Sequence, residues 1–113
     1  MWLVRLRTSA TASNPVKHPQ LGRALGAYVN CFVSFHDPEG AVHLAKFYAT
    51  ATREWRVTRV IGCGPITRRD LRGDPDHLRY FKEAETDGYS LVFHIYPRDP
   101  KLARRSAMAA ATM

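Results

Sequence analysis

The chain has 113 residues and a mass of 12.8 kDa, room for one domain with one hydrophobic core but not for a core plus a separate catalytic domain. Its 45% hydrophobic, 24% charged and 11% aromatic content excludes a disordered chain, and charges interrupt every apolar run well short of the roughly 20 residues that cross a bilayer. A net charge of +7 points to an acidic partner, a nucleic acid or an acidic protein surface.

The first residues alternate, with Trp2, Val4 and Leu6 on one side and Leu3, Arg5 and Arg7 on the other, which predicts a strand and not a secretory signal. Residues 1 to 36 contain no acid, the composition of an organellar transit peptide, but strand alternation gives them a structural use. Residues 8 to 22, small, polar and broken by Pro15 and Pro19, read as a mobile loop. Alternation returns from Ala27 to Phe35: Ala27, Val29, Cys31, Val33 and Phe35 are expected to face the core, with Tyr28, Asn30, Phe32 and Ser34 opposite.

Asp37-Pro38-Glu39 starts a helix, because an aspartate accepts from free N–H groups, proline tolerates the first helical position and a glutamate suits the positive end of the dipole. It is expected to reach Arg53 on a stripe of Ala41, Leu44, Ala45, Tyr48 and Ala51, widened by Val42 and Phe47. A strand follows through Trp55, Val57, Val60 and Ile61, its alternation slipping near Arg59 as at a bulge, and Gly62 to Pro65 reads as a turn. Asp74-Pro75-Asp76 starts a second helix, from Pro75 to about Thr86, with Leu78, Phe81 and Ala84 as its stripe and Asp87-Gly88 as its stop. Tyr89 to Tyr96, apolar on both faces, predicts a strand in the interior of the sheet, ended by Pro97 and Pro100. Residues 101 to 113 read as an Ala-rich flexible tail.

The elements add up to one α+β domain over residues 1 to 100, of order ββαβαβ. The expected form is a two-layer sandwich in which two helices cover one face of a four-stranded mixed sheet. The uncovered face then holds Tyr28, Asn30, Phe32, His94 and Tyr96, with a basic patch of Arg5, Arg7 and Arg56 beside it. Aromatic rings next to arginines are how several RNA-binding sheets stack bases and hold phosphates, although no Lys/Arg-Gly-Phe run marks a recognition strand. An open aromatic face also suits a protein interface.

The five histidines lack helical pairing and neighbouring cysteine pairs, so no metal site and no cofactor is expected. Gly62-Cys63-Gly64-Pro65 is no P-loop, since no Gly-Lys-Ser/Thr follows; an enzyme built on Cys63 or on His94 is the weakest reading. Cys31 and Cys63 form no Cys-x-x-Cys pair, which indicates a reducing, cytoplasmic setting and leaves a bond between them open.

Tyr28-Val29-Asn30-Cys31, Trp55-x-Val57, Tyr80-Phe81 with Ala84 and Asp87-Gly88, and Phe93-His94-x-Tyr96-Pro97 give the stretch Ala27 to Pro97 a texture that resembles a small bacterial domain group of unknown function. The resemblance implies a compact bacterial domain and brings no chemistry. In size and texture the chain is also similar to toxin-neutralising immunity proteins. The expectation is a non-enzymatic protein that associates with itself, as a homodimer, or with another protein through the open face. The alternatives are single-stranded nucleic-acid binding by the same face and toxin neutralisation.

Overall fold

In the computed structural model, which describes residues 1–12, 14, 17–18 and 22–97, strands β1 (Trp2–Ala10), β2 (Lys17–His18), β3 (Gly22–Val33), β4 (Trp55–Pro65) and β5 (Tyr89–Pro97) alternate with helices α1 (Pro38–Thr50) and α2 (Pro75–Asp87). A 3-10 turn, Arg68–Leu71, precedes α2. The four long strands lie in the order β5-β3-β1-β4, and the short β2 pairs with the start of β3. Every pairing is antiparallel, so the sheet is not mixed.

Helix starts follow the expected chemistry. The Asp37 carboxylate accepts from the Gly40 N–H at 2.7 Å and the Asp74 carboxylate from the His77 N–H at 3.3 Å, each just ahead of a proline in the first turn. Gly88, at φ 91°, supplies the left-handed cap of α2. Helix α1 ends at Thr50, three residues early, and Arg53 carries the chain out of it at φ 62°. Its buried stripe is Ala41, Ala45 and Ala49, a row of methyl groups that lets the helix lie close on the sheet, while Phe47 is 66% exposed and Ala51 is also outside.

The two helices do not share a face. Val4, Leu6, Ala27, Val29, Cys31 and Val33 pack beneath α1, whereas Phe32, Leu3 and Val92, of opposite parity on the same strands, pack with Leu71, Phe81 and Ala84 beneath α2. The reason lies in the topology. Strands β3 and β4 both run antiparallel to β1, hence parallel to each other, so α1 is a true crossover; β5 runs antiparallel to β4, and the handedness rule places no demand on α2. Helix α2 is free to take the other side, and the fold has a helix on each face of the sheet instead of two layers.

Four further expectations change. Strand β5 is at an edge, paired only with β3 among the described residues; it is apolar on both faces because Leu91, Phe93 and Ile95 meet the α1 layer and Val92 the α2 layer. Residues 62–65 are not a turn but the end of β4, paired with Arg5, Val4, Leu3 and Trp2. Phe35 lies past the end of β3, exposed, its ring over Gly40. Residues 8–22 are also partly in strands: β1 runs on to Ala10, where the buried Thr8 hydroxyl donates to the Ala27 carbonyl at 3.0 Å, and β3 begins at Gly22. Lys17 and His18 form β2, while residues 13, 15, 16 and 19–21 of that segment and the tail of residues 101–113 lie outside the described residues.

One helix is enough on the α1 face because aromatic rings complete the layer. Tyr48 stacks on Tyr89 with centroids 3.6 Å apart, and Trp55 meets Phe93 at 5.5 Å. Cys31 and Cys63 are both free, and they flank Val4 from the strands on either side, two strand spacings or about 9.6 Å apart, beyond disulfide reach. Burial pushes the Cys31 thiol up to about 12.

On the α2 face, then, Phe32 belongs to the core and Tyr28, four residues earlier, does not. Truncation by Phe32→Ala is expected to cost about 3–5 kcal/mol, and Tyr28→Ala, which gives up little beyond one ring pair, about 1 kcal/mol. Urea denaturation of the two variants checks this, and equal losses would place Tyr28 in the core as well.

Candidate nucleic-acid interface

Strand β4 is out of step with β1 at two places. The pairs Thr8–Val57 and Arg7–Arg59 leave Thr58 over, and the pairs Leu6–Val60 and Arg5–Gly62 leave Ile61 over. Each extra residue reverses the strand's parity. Val57, Val60, Cys63 and Pro65 therefore fall on the α1 side, while Arg56, Arg59, Gly62 and Gly64 all fall on the other, against Ser9, Arg7, Arg5 and Leu3. Without the bulges Arg56 and Arg59 would point to opposite faces.

Helix α2 covers only the end of that second face where Phe32, Leu3 and Val92 stand. Nothing among the described residues covers the remainder. Among the site residues expected from sequence, Arg5, Arg7, Tyr28, Asn30, Arg56, His94 and Tyr96 do share this open half, since Arg7 pairs with Tyr28, Arg5 with Asn30, and Tyr28 with His94 along the ladders. Phe32 is the exception. It is fully buried with its ring edge-on to Phe81, the centroids 6.4 Å apart, and it can contact no partner.

Tyr96 closes one corner of the open half. Its ring crosses Gly26, where a β-carbon would stand 2.5 Å from the phenol oxygen, and its hydroxyl donates to the Thr8 carbonyl at 3.2 Å. Tyr28 lies 5.4 Å from it, tilted by 46°, and is itself 46% exposed. The Tyr96 hydroxyl, hydrogen-bonded to the Arg7 side chain, and the pull of both phenols hold the Arg7 guanidinium above its usual pKa, so it stays charged. His94 is exposed, with Asn30 Nδ2 at 3.5 Å from its Nε2.

The sequence reading missed Arg59 and the hydroxyls around it. Thr58 Oγ1 donates to the Arg7 carbonyl at 3.1 Å and Arg56 reaches Ser9 Oγ at 3.4 Å, and Arg7, Thr8, Ser9, Thr58, Arg59 and Tyr96 surround a depression of about 400 Å³. The slip near Arg59 was the available signal, but alternation alone does not say which residue is the extra one. Arg5, Arg7, Arg56 and Arg59 take no part in an ion pair among the described residues, where the pairs are His36–Asp37, Arg68–Glu85 and His77–Asp74. Arg7 and Arg59 stand directly opposite each other, a like-charge pair that destabilises a sheet.

Chemically the open half is a cationic surface with one accessible ring, hydroxyl groups and an imidazole. Cys63 is not part of it: the thiol is on the α1 side of β4, its Sγ 3.9 Å from the Pro38 carbonyl, and partial burial raises its pKa, the opposite of activation by Arg68 and Arg69. Among the described residues no three His, Cys, Asp or Glu side chains are grouped as metal ligands, and no helix is long and apolar enough to cross a membrane. No family model, curated protein or solved structure matches the chain, so the texture of Ala27 to Pro97 adds no family to this chemistry.

The register that sets Arg7 opposite Arg59 makes a prediction about stability. Arg59→Glu is expected to raise stability by about 0.2–1 kcal/mol at low salt and by less as added salt screens the pair. Thermal melts at two ionic strengths test this; a variant less stable than the parent at low salt would mean that the two side chains avoid each other.

Proposed function

We propose that this protein binds single-stranded nucleic acid on the open half of its sheet. The observation that carries the reading is the set of four arginines, Arg5, Arg7, Arg56 and Arg59, gathered on one surface without a carboxylate partner among the described residues, next to the exposed ring of Tyr28. Arginine forks suit phosphate oxygens, and a tyrosine face accepts any base. A single strand fits better than a duplex, whose grooves take a helix or a two-stranded ribbon and not a broad sheet. The Ser9 hydroxyl, which accepts from Arg56 and keeps its own proton, adds a donor suited to phosphate or sugar.

Self-association through this face, the other use of an open sheet, is disfavoured by the same residues. A two-fold contact would set the four arginines of one copy against those of the next and would lack the apolar centre that Phe32, now buried under α2, was expected to provide. An acidic protein surface would satisfy the charges but leaves the tyrosine without a specific role.

Fluorescence anisotropy with oligothymidylate across a salt series tests the proposal. The logarithm of affinity is expected to fall linearly with the logarithm of salt, and Arg7→Ala or Arg59→Ala to flatten that slope by about 0.7 each, the value for one phosphate on a single strand. Tyr28→Ala is expected to cost about 1–3 kcal/mol of binding through lost stacking. Equal affinity for polyglutamate, insensitive to Tyr28, would instead support an acidic protein partner. A dimer in light scattering that Tyr28→Ala dissolves would support self-association.

A further inference from the structure

Two glycines on the same face of β4 have no structural need to be glycine. Gly62 and Gly64 are extended strand residues without positive φ, and a β-carbon built on either meets nothing within 4 Å. Glycine weakens a strand and marks a bulge or the close approach of something else; Gly62 flanks the bulge at Ile61, whereas Gly64 lies two residues beyond it in regular register. Above them lies a bare depression of about 240 Å³ between Arg5, Leu3 and Ile66. Arg5 lines it, and Arg7, the next residue along β1 on this face, lines the arginine-edged depression. At the other end β4 passes through Ile66 and Thr67 into the 3-10 turn before α2, on the same side of the sheet.

That turn begins a second cationic surface, where Arg68, Arg69, Arg72 and Lys82 edge a groove of about 450 Å³. Two of the nearby acids are engaged. Asp70 accepts from the Thr67 N–H at 2.8 Å and from its hydroxyl at 3.0 Å, which caps the turn, and Glu85 holds Arg68 at 2.6 Å. Arg69, Arg72 and Lys82 form no ion pair among the described residues.

We infer that the bound strand does not stop at the open half-face: it follows the β1–β4 seam across the bare backbone of Gly62 and Gly64 and ends on Arg69, Arg72 and Lys82. The inference rests on the nucleic-acid reading and extends it to a path. From Arg56 to Gly64, opposite Ser9 to Leu3 on the unbulged β1, the seam measures about 20 Å at the usual strand rise, length for about six nucleotides at the stacked spacing of roughly 3.4 Å. The glycines are the floor of this track; side chains there would stand where the phosphodiester chain passes.

The test compares a tetranucleotide and a dodecanucleotide of thymidylate on the full chain, its Gly62→Val/Gly64→Val variant and its Arg69→Ala/Arg72→Ala/Lys82→Ala variant. The valines, at home in a strand, are expected to leave the melting temperature unchanged or raise it, to leave tetranucleotide affinity alone, and to weaken the dodecanucleotide about tenfold, as the loss of a few phosphate contacts does. The triple variant is expected to lower the dodecanucleotide salt slope by about 2 and leave the tetranucleotide slope unchanged. A parent chain that binds both oligonucleotides through Arg7 and Arg59, with variants that keep the full length dependence, overturns the track and spares the site. A parent chain that binds neither oligonucleotide overturns both.

Discussion

Phe32 sits at the centre of what this fold can and cannot cover. Its ring, buried against Phe81 with Leu71 and Ala84 around it, fixes α2 on the face opposite α1. A helix is about 10 Å across and strands are about 4.8 Å apart, so one helix covers roughly two strands of a four-stranded sheet. On the α1 side the deficit is met by stacked rings, Tyr48 on Tyr89 and Trp55 on Phe93. On the α2 side nothing among the described residues meets it beyond the Phe32 end, and the strands there end in arginine, asparagine, histidine and tyrosine side chains. The open surface is a consequence of splitting two helices between two faces.

Several local choices that weaken the sheet fall in that same area. Two bulges interrupt the β1–β4 ladder, Arg7 faces Arg59, and Gly62 and Gly64 leave backbone bare. Each lowers stability by itself, and together they place cations and an unobstructed floor on one surface. Concentrated violations of local preference are expected where a protein does its work, whereas scattered ones are not. The well-packed α1 face, with its row of alanines under the helix, shows no comparable cluster.

Much of this was legible in the sequence, because short-range chemistry is local. The Asp-Pro starts, the Gly88 stop and the alternation of β1 and β3 each depend on neighbouring residues, and all three led to the observed elements. Strand parity also sets Arg5 with Arg7 and His94 with Tyr96 on one side of their own strands, and the register of β1, β3 and β5 brings them beside Tyr28. What the sequence left hidden depends on pairing. Whether Phe32 is open or buried depends on which face α2 takes, and the antiparallel relation of β4 to β5, which releases α2 from the crossover rule, is a property of the sheet and not of either strand. The partner of β5 is equally invisible, so an edge strand sandwiched between two helices looked like an interior one. Arg59 needed the position of two extra residues, Thr58 and Ile61, which only the register with β1 supplies.

The most direct check of the central claim is chemical-shift mapping by NMR of the full chain titrated with oligothymidylate at low salt. Binding on the open half of the sheet predicts perturbations at Arg5, Arg7, Tyr28, Arg59 and His94 and none on the exposed outer side of α1 around His43, Lys46 and Phe47. Shifts confined to that helix, or no shifts at all with excess oligonucleotide, would contradict it.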